Sequence, residues 1–156
     1  MAAGLGLLLH TPALAQSSGR DRVIENQGHL FVCHQGQDSD IVDDGHIDSE
    51  TQLRYRLLAE DMTMEGLAAT FFDLDGTVYR ADMSFTGRFD ISGGDATLVI
   101  EKSNLTRADP LPDGSTWSSS TGSLEMTGSG DNTHLDGSLY LSSGDAIELK
   151  CKIHNE

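Results

Sequence analysis

From about residue 67 onward, apolar and polar side chains alternate with a period of two. Tyr79, Ala81, Met83, Phe85, Phe89 and Ile91 are apolar, and Arg80, Asp82, Ser84, Arg88 and Asp90 between them are polar. Such alternation sends successive side chains to opposite faces, so this run predicts a strand with one wet face, bent near Gly87. Ser92-Gly93-Gly94-Asp95 then supplies turn chemistry, and Ala96 to Ile100 reads as the hairpin partner. Leu124 and Met126 mark a third short run.

The C-terminal stretch gives the clearest pair. Leu135, Leu139 and Leu141 share one face, Ser142-Ser143-Gly144-Asp145 forms the turn, and Ile147, Leu149, Cys151 and Ile153 line the return. Gly137 falls among the leucines, where a bulge or a close backbone approach is expected. Gly128 to Asn132 joins this pair to the strand before it, which makes a β-meander.

The N-terminal half is less regular. His29 to Cys33 reads as a short buried strand, and residues 38–50 as an acidic loop or edge. Leu53, Tyr55 and Leu57 alternate, so residues 51–58 are read as a strand, although Ser49 and Gln52 resemble a helix capping box. Residues 106–122 hold Pro110, Pro112, Gly114 and a serine run, and predict a long surface loop. Its Trp117, the only tryptophan, either folds back onto the barrel mouth or acts as a lid over a ligand. The total is about eight to ten short antiparallel strands. The fold class is therefore all-β, a small barrel, with a β-sandwich as the alternative.

The leader changes the compartment. Leu5, Leu7, Leu8 and Leu9 precede Pro12 and the A-x-A pattern Ala13-Leu14-Ala15, so residues 1–15 read as a signal peptide, without a Lys or Arg ahead of it. Residues 16–28 follow as a flexible segment, and 29–156 as a single β domain. The chain is thus expected to be exported, to the periplasm or outside the cell, with no membrane span. In such a compartment the two cysteines, Cys33 and Cys151, read as a disulfide. They lie on the first and last convincing strands, which are neighbours in a closed meander.

The 156 residues carry a formal net charge of −15. That acidity argues against nucleic acid and anionic lipid as partners, and leaves a basic protein or a divalent cation compatible. Asp38, Asp40, Asp43, Asp44, Asp48 and Glu50 crowd into thirteen residues. Of these, Asp40, Asp44, Asp48 and Glu50 are calcium candidates. However, with Asp40 at position one of a calcium loop, Val42 occupies position three and Thr51 position twelve, where oxygen ligands belong. His29, His34, His46, His134 and His154 show no zinc spacing. No G-x-S-x-G elbow is present.

Residues 69–78, Ala-Thr-Phe-Phe-Asp-Leu-Asp-Gly-Thr-Val, resemble the first motif of the haloacid-dehalogenase phosphatase superfamily. The resemblance implies a nucleophilic Asp73, an acid/base Asp75 and a bridging Mg²⁺. It spans about ten residues, and the alternation beyond it predicts a tight hairpin turn at Asp75-Gly76.

Function follows as an expectation from architecture and charge. The chain reads as a non-catalytic exported binding module, holding a small apolar ligand or a partner protein in or on the barrel. The alternative is a secreted inhibitor or envelope factor acting on a basic partner, and a metal-dependent phosphatase comes third. No cofactor is expected. Calcium should bind the acidic segment with a millimolar or weaker dissociation constant, because two loop positions lack ligands. Calorimetry with calcium and with chelator checks this, and a micromolar constant lost in Asp44→Asn would overturn it.

Overall fold

The computed structural model describes residues 18–35, 47–141 and 144–154. The leader, and Asp40 and Asp44 of the calcium candidates, lie outside these described residues. Eight antiparallel strands follow one another: β1 Phe31–Gln35, β2 Ile47–Leu57, β3 Thr63–Leu74, β4 Thr77–Ser92, β5 Asp95–Ala108, β6 Ser120–Thr127, β7 His134–Leu141 and β8 Ala146–Ile153. Each pairs with the next, and β8 returns to β1 to close a barrel. The all-β meander is as expected, and the closure rules out the sandwich.

Several boundaries differ from the pattern. β4 runs 16 residues and β5 runs 14, so these strands are not short. Their ladder shifts register between Asp82 and Met83 and between Thr86 and Gly87. Such irregularities bend a strand, which lets a long one follow the curve of a barrel. Gly87 stands at one shift, where an added Cβ would come within 1.8 Å of the Val99 carbonyl oxygen. Gly137 sits 2.1 Å, by the same measure, from the Ser123 carbonyl oxygen, in unbroken register with Leu124. It serves a close approach and not a bulge.

Ile47 to Glu50 belong to β2, not to a loop. They pair with Leu74 to Phe71, because the long apolar run of β3 offers a partner over its whole length. The loop expected over 106–122 is trimmed from both sides. Residues 106–108 extend β5 and 120–122 open β6, leaving 109–119 as the connection. The hairpin between β3 and β4 is the two-residue turn expected, with φ of 53° at Asp75 and 89° at Gly76. Left-handed backbone at both positions matches the twist of the flanking strands.

The segment 16–28, expected to be flexible, contains helix α1, Gly19–Asn26. The Ser18 hydroxyl caps it by accepting from the Asp21 N–H at 3.0 Å. α1 lies across the end of the barrel that carries the β4–β5 turn. Gly19 N–H donates to the Gly93 carbonyl at 2.9 Å, and Arg22 Nη1 to the Gly94 carbonyl at 2.9 Å. Val23 is fully buried there, and the Tyr55 hydroxyl donates to its carbonyl at 2.6 Å. Burial pushes the Tyr55 phenol above its usual range, so it keeps the proton it donates.

Apolar side chains point inward and charged ones outward. Phe31, Tyr55, Met64, Phe85, Leu98 and Met126 are buried, while Arg56, Asp90, Glu101, Asp136 and Lys150 are exposed. A barrel immersed in lipid has the reverse arrangement. Among the described residues, no helix is long and apolar enough to cross a membrane.

Among the described residues, β1 is the shortest strand and the one that closes the sheet, with five register pairs to β8 and three to β2. Cys33 and Cys151 stand directly opposite each other in the β1–β8 ladder and form the expected disulfide. Their Cα atoms are 3.9 Å apart, shorter than the usual span of about 4.4–6.8 Å, because adjacent strands already hold the two residues face to face. The bond closes a loop of 118 residues. Replacing both cysteines by alanine should lower the unfolding free energy by about 4–5 kcal/mol in the chain-entropy account. Urea denaturation of the oxidised protein and the double variant measures the difference, and an unchanged midpoint would show that β1 closes the barrel without it.

Candidate functional site

The interior is not filled evenly. Toward the α1 end it is packed with large side chains, and Tyr55 contacts both Phe31 and Phe89 with ring centroids 6.5 Å and 4.8 Å away. Toward the opposite end the inward positions become small. In register around the wall run Cys151, Cys33, Thr51, Thr70 and Ala81, each opposite the next on the neighbouring strand. One row of short side chains on five adjacent strands cannot fill the cross-section that the Tyr55, Phe85 and Phe89 rings fill toward the α1 end.

The result is a cavity of about 190 Å³. Leu53, Ala68, Met83, Ile100, Leu139 and Leu149 form its apolar floor and walls. Its polar groups are few. The Thr51 and Thr70 hydroxyls lie 3.1 Å apart, Ser120 directs its hydroxyl to the Met83 thioether at 3.7 Å, and Gln35 stands at the rim of β1. Among the described lining residues none carries a charge or a titratable group. A larger depression of about 560 Å³ lies on the outer wall among Arg54, Arg56, Glu65, Leu67 and Lys102. It is more open to solvent, so it would bury a smaller share of any molecule it held.

The 109–119 connection roofs the cavity with Leu111, Thr116, Trp117 and Ser118. The Trp117 ring stacks on Phe72 at 5.0 Å with a 17° interplanar angle, so it folds back onto the mouth. Its Nε1–H donates to the Asp109 carbonyl at 2.7 Å. Asp109 anchors the roof to β4 in both directions. Its N–H donates to the Arg80 carbonyl at 3.0 Å, and its carboxylate accepts from the Arg80 N–H at 3.0 Å and from Arg107 Nε at 3.2 Å. The Arg107 guanidinium, with the Arg80 N–H, holds the Asp109 carboxyl below the usual carboxylate range. Ser115, through its hydroxyl and N–H, does the same for Asp113 further along.

The residues singled out by motif are placed elsewhere. Asp73 and Asp75 sit exposed at an antiparallel hairpin, where the Asp73 carboxylate accepts from the Gly76 N–H at 3.0 Å. Phosphatase chemistry needs the end of a parallel strand facing a cation, so the hairpin accounts for these letters. Asp48 lies on β2 at the Asp73 register position, and Glu50 accepts from Gln52 Nε2 at 2.9 Å. Among the described residues, no group of three or more His, Cys, Asp or Glu could hold a metal ion. Thr51, Thr70, Ala81 and Asp109 carry no motif. Their meaning depends on which residues face each other across strands, and the linear pattern does not contain that.

No protein-family model matches this chain, and no curated protein or solved structure matches it. The chemistry of the site therefore rests on its own residues.

A carboxyl with a lowered pKa stabilises the fold above the unfolded value of about 3.9, and that contribution disappears as pH falls through the lower folded value. Trp117 emission should thus stay constant from pH 7 down to about pH 4 and change only below that. Asp109→Ala should shift the emission to the red at neutral pH, with Asp109→Asn in between. Emission spectra across a pH series check both, and a transition centred near pH 6 would contradict the assignment.

Proposed function

We propose that this chain is a binding module that holds a small apolar molecule in the cavity beneath Trp117. The observation that carries the reading is the row of small inward residues, Thr51, Thr70 and Ala81, at the end of the barrel opposite the packed aromatic rings. A barrel that only had to be stable would gain by filling this layer, since buried methyl groups left out cost stability. The space is adequate for a ligand, because an apolar cavity of roughly 150 Å³ accepts benzene.

The polar features support binding over catalysis. The lining offers hydroxyls and an amide but no group that could act as an acid, base or charged nucleophile. Trp117 and the 109–119 segment serve as the lid, since a ligand must pass them to enter. The disulfide supports an oxidising location outside the cytosol, in keeping with the leader. The net charge of −15 also supports a second reading, in which the barrel binds a basic protein from outside.

Titration with toluene, followed by Trp117 emission and by calorimetry, tests the main reading. A dissociation constant between about 10 µM and 1 mM is expected for a ligand of this size. Ala81→Leu fills the cavity and should abolish binding while leaving the melting temperature unchanged or higher, and Ala68→Leu should do the same. Binding that survives both variants would place the ligand elsewhere.

A further inference from the structure

We infer that the cavity selects uncharged single-ring molecules bearing one hydroxyl, a simple phenol being the type, and rejects carboxylates. The inference rests on the binding reading above and names the ligand class of that site. Volume sets the first limit. About 190 Å³ holds one six-membered ring and roughly one to three further heavy atoms, which leaves no room for a fatty chain.

The shape of the wall favours a ring. The stacked Trp117 and Phe72 roof the cavity and the Met83 thioether lines its side, and flat π-systems and thioethers pack well against an aromatic guest.

The polar groups set the second limit. The Thr51 and Thr70 hydroxyls face each other at 3.1 Å, and only one O–H can lie between them. A hydroxyl has one donor and two acceptor sites, so the pair retains one O–H and several lone pairs. A ligand hydroxyl can donate to one threonine oxygen and accept from the other.

Charge sets the third limit. No Lys, Arg or His lines the cavity among the described residues, so a carboxylate entering it would lose its water without gaining a counter-charge. The approach adds to the exclusion. Asp73 and Asp75 sit at the hairpin of the mouth, and Asp109 and Asp113 lie on the roof segment. The Asp109 charge is offset by Arg107, and Asp113 is held in the charged form by Ser115, so Asp73, Asp75 and Asp113 repel anions before they reach the opening.

The test compares toluene, p-cresol and 4-methylbenzoate by calorimetry and Trp117 emission at pH 7. The ring and methyl are constant, so only the polar group varies. We expect p-cresol to bind about three- to tenfold more tightly than toluene, and 4-methylbenzoate at least a hundredfold more weakly than p-cresol. Thr70→Val should bring the cresol-to-toluene ratio close to one, and Thr51→Val serves as the second variant if the first loses its fold by circular dichroism. Benzoate binding as tightly as cresol, or a ratio unchanged in both variants, overturns the ligand class while leaving the cavity as a binding site. Failure of all three molecules to bind, toluene included, overturns the cavity reading itself.

Discussion

Everything in this molecule depends on the seam between β1 and β8. Seven of the eight strand pairs join neighbours in the chain, and hairpin geometry can assemble those locally. The eighth joins residues 31–35 to 149–153 and must be found across the whole domain. Without it the sheet would be an open ribbon with two edges, and the apolar inner face would have nothing to enclose. The seam is held by a five-residue ladder, by the His154 N–H donating to the Leu30 carbonyl at 2.8 Å, and by the one covalent cross-link. Among the described strands, the ladder that joins the two ends of the meander is the one that carries the disulfide.

Once the sheet is closed, side-chain volume determines what the barrel contains. The layer nearest α1 is occupied by rings and methionines, and α1 adds Val23 as a plug. Phe85 is accommodated because Gly66 stands opposite it, where an added Cβ would fall 2.1 Å from the ring. The layer above has threonine and alanine at the equivalent inward positions, so space remains. Packing and vacancy thus arise from the same rule of alternating inward positions, applied to residues of different size. The roof exists because β5 outruns β6. Its connection starts at Asp109, level with Arg80 on β4, and returns across the mouth to Ser120.

The sequence made some of these levels legible and hid others. Period-two alternation in Tyr79 to Ile91 and in Leu135 to Ile153 placed β4, β7 and β8, because one wet face and one dry face leave a direct trace. The cysteine pair pointed to closure for a similar reason, since a bond between first and last strands has few other geometries. Helix α1 left no such trace. It buries Val23 as its single large apolar residue, and its place is determined by capping and by backbone contacts at Gly93 and Gly94. The extensions of β2 and β5 were hidden as well, because charged and polar residues on an outward face look like loop. The cavity was the least legible feature of all. Thr51, Thr70 and Ala81 are unremarkable until register lays them side by side.

The ring of strands has one further property. Leu30 and His154 are a single hydrogen bond apart, so the strand meander begins and ends at one point on the circumference. Neighbour relations among the eight strands are therefore cyclic, and the geometry singles out none of them as first. Any of the loops could in principle hold the chain termini while every ladder stayed as it is. Linear order enters only through where the chain happens to be cut. The cut falls beside β1, and there the circle is completed by sulfur instead of by a peptide turn.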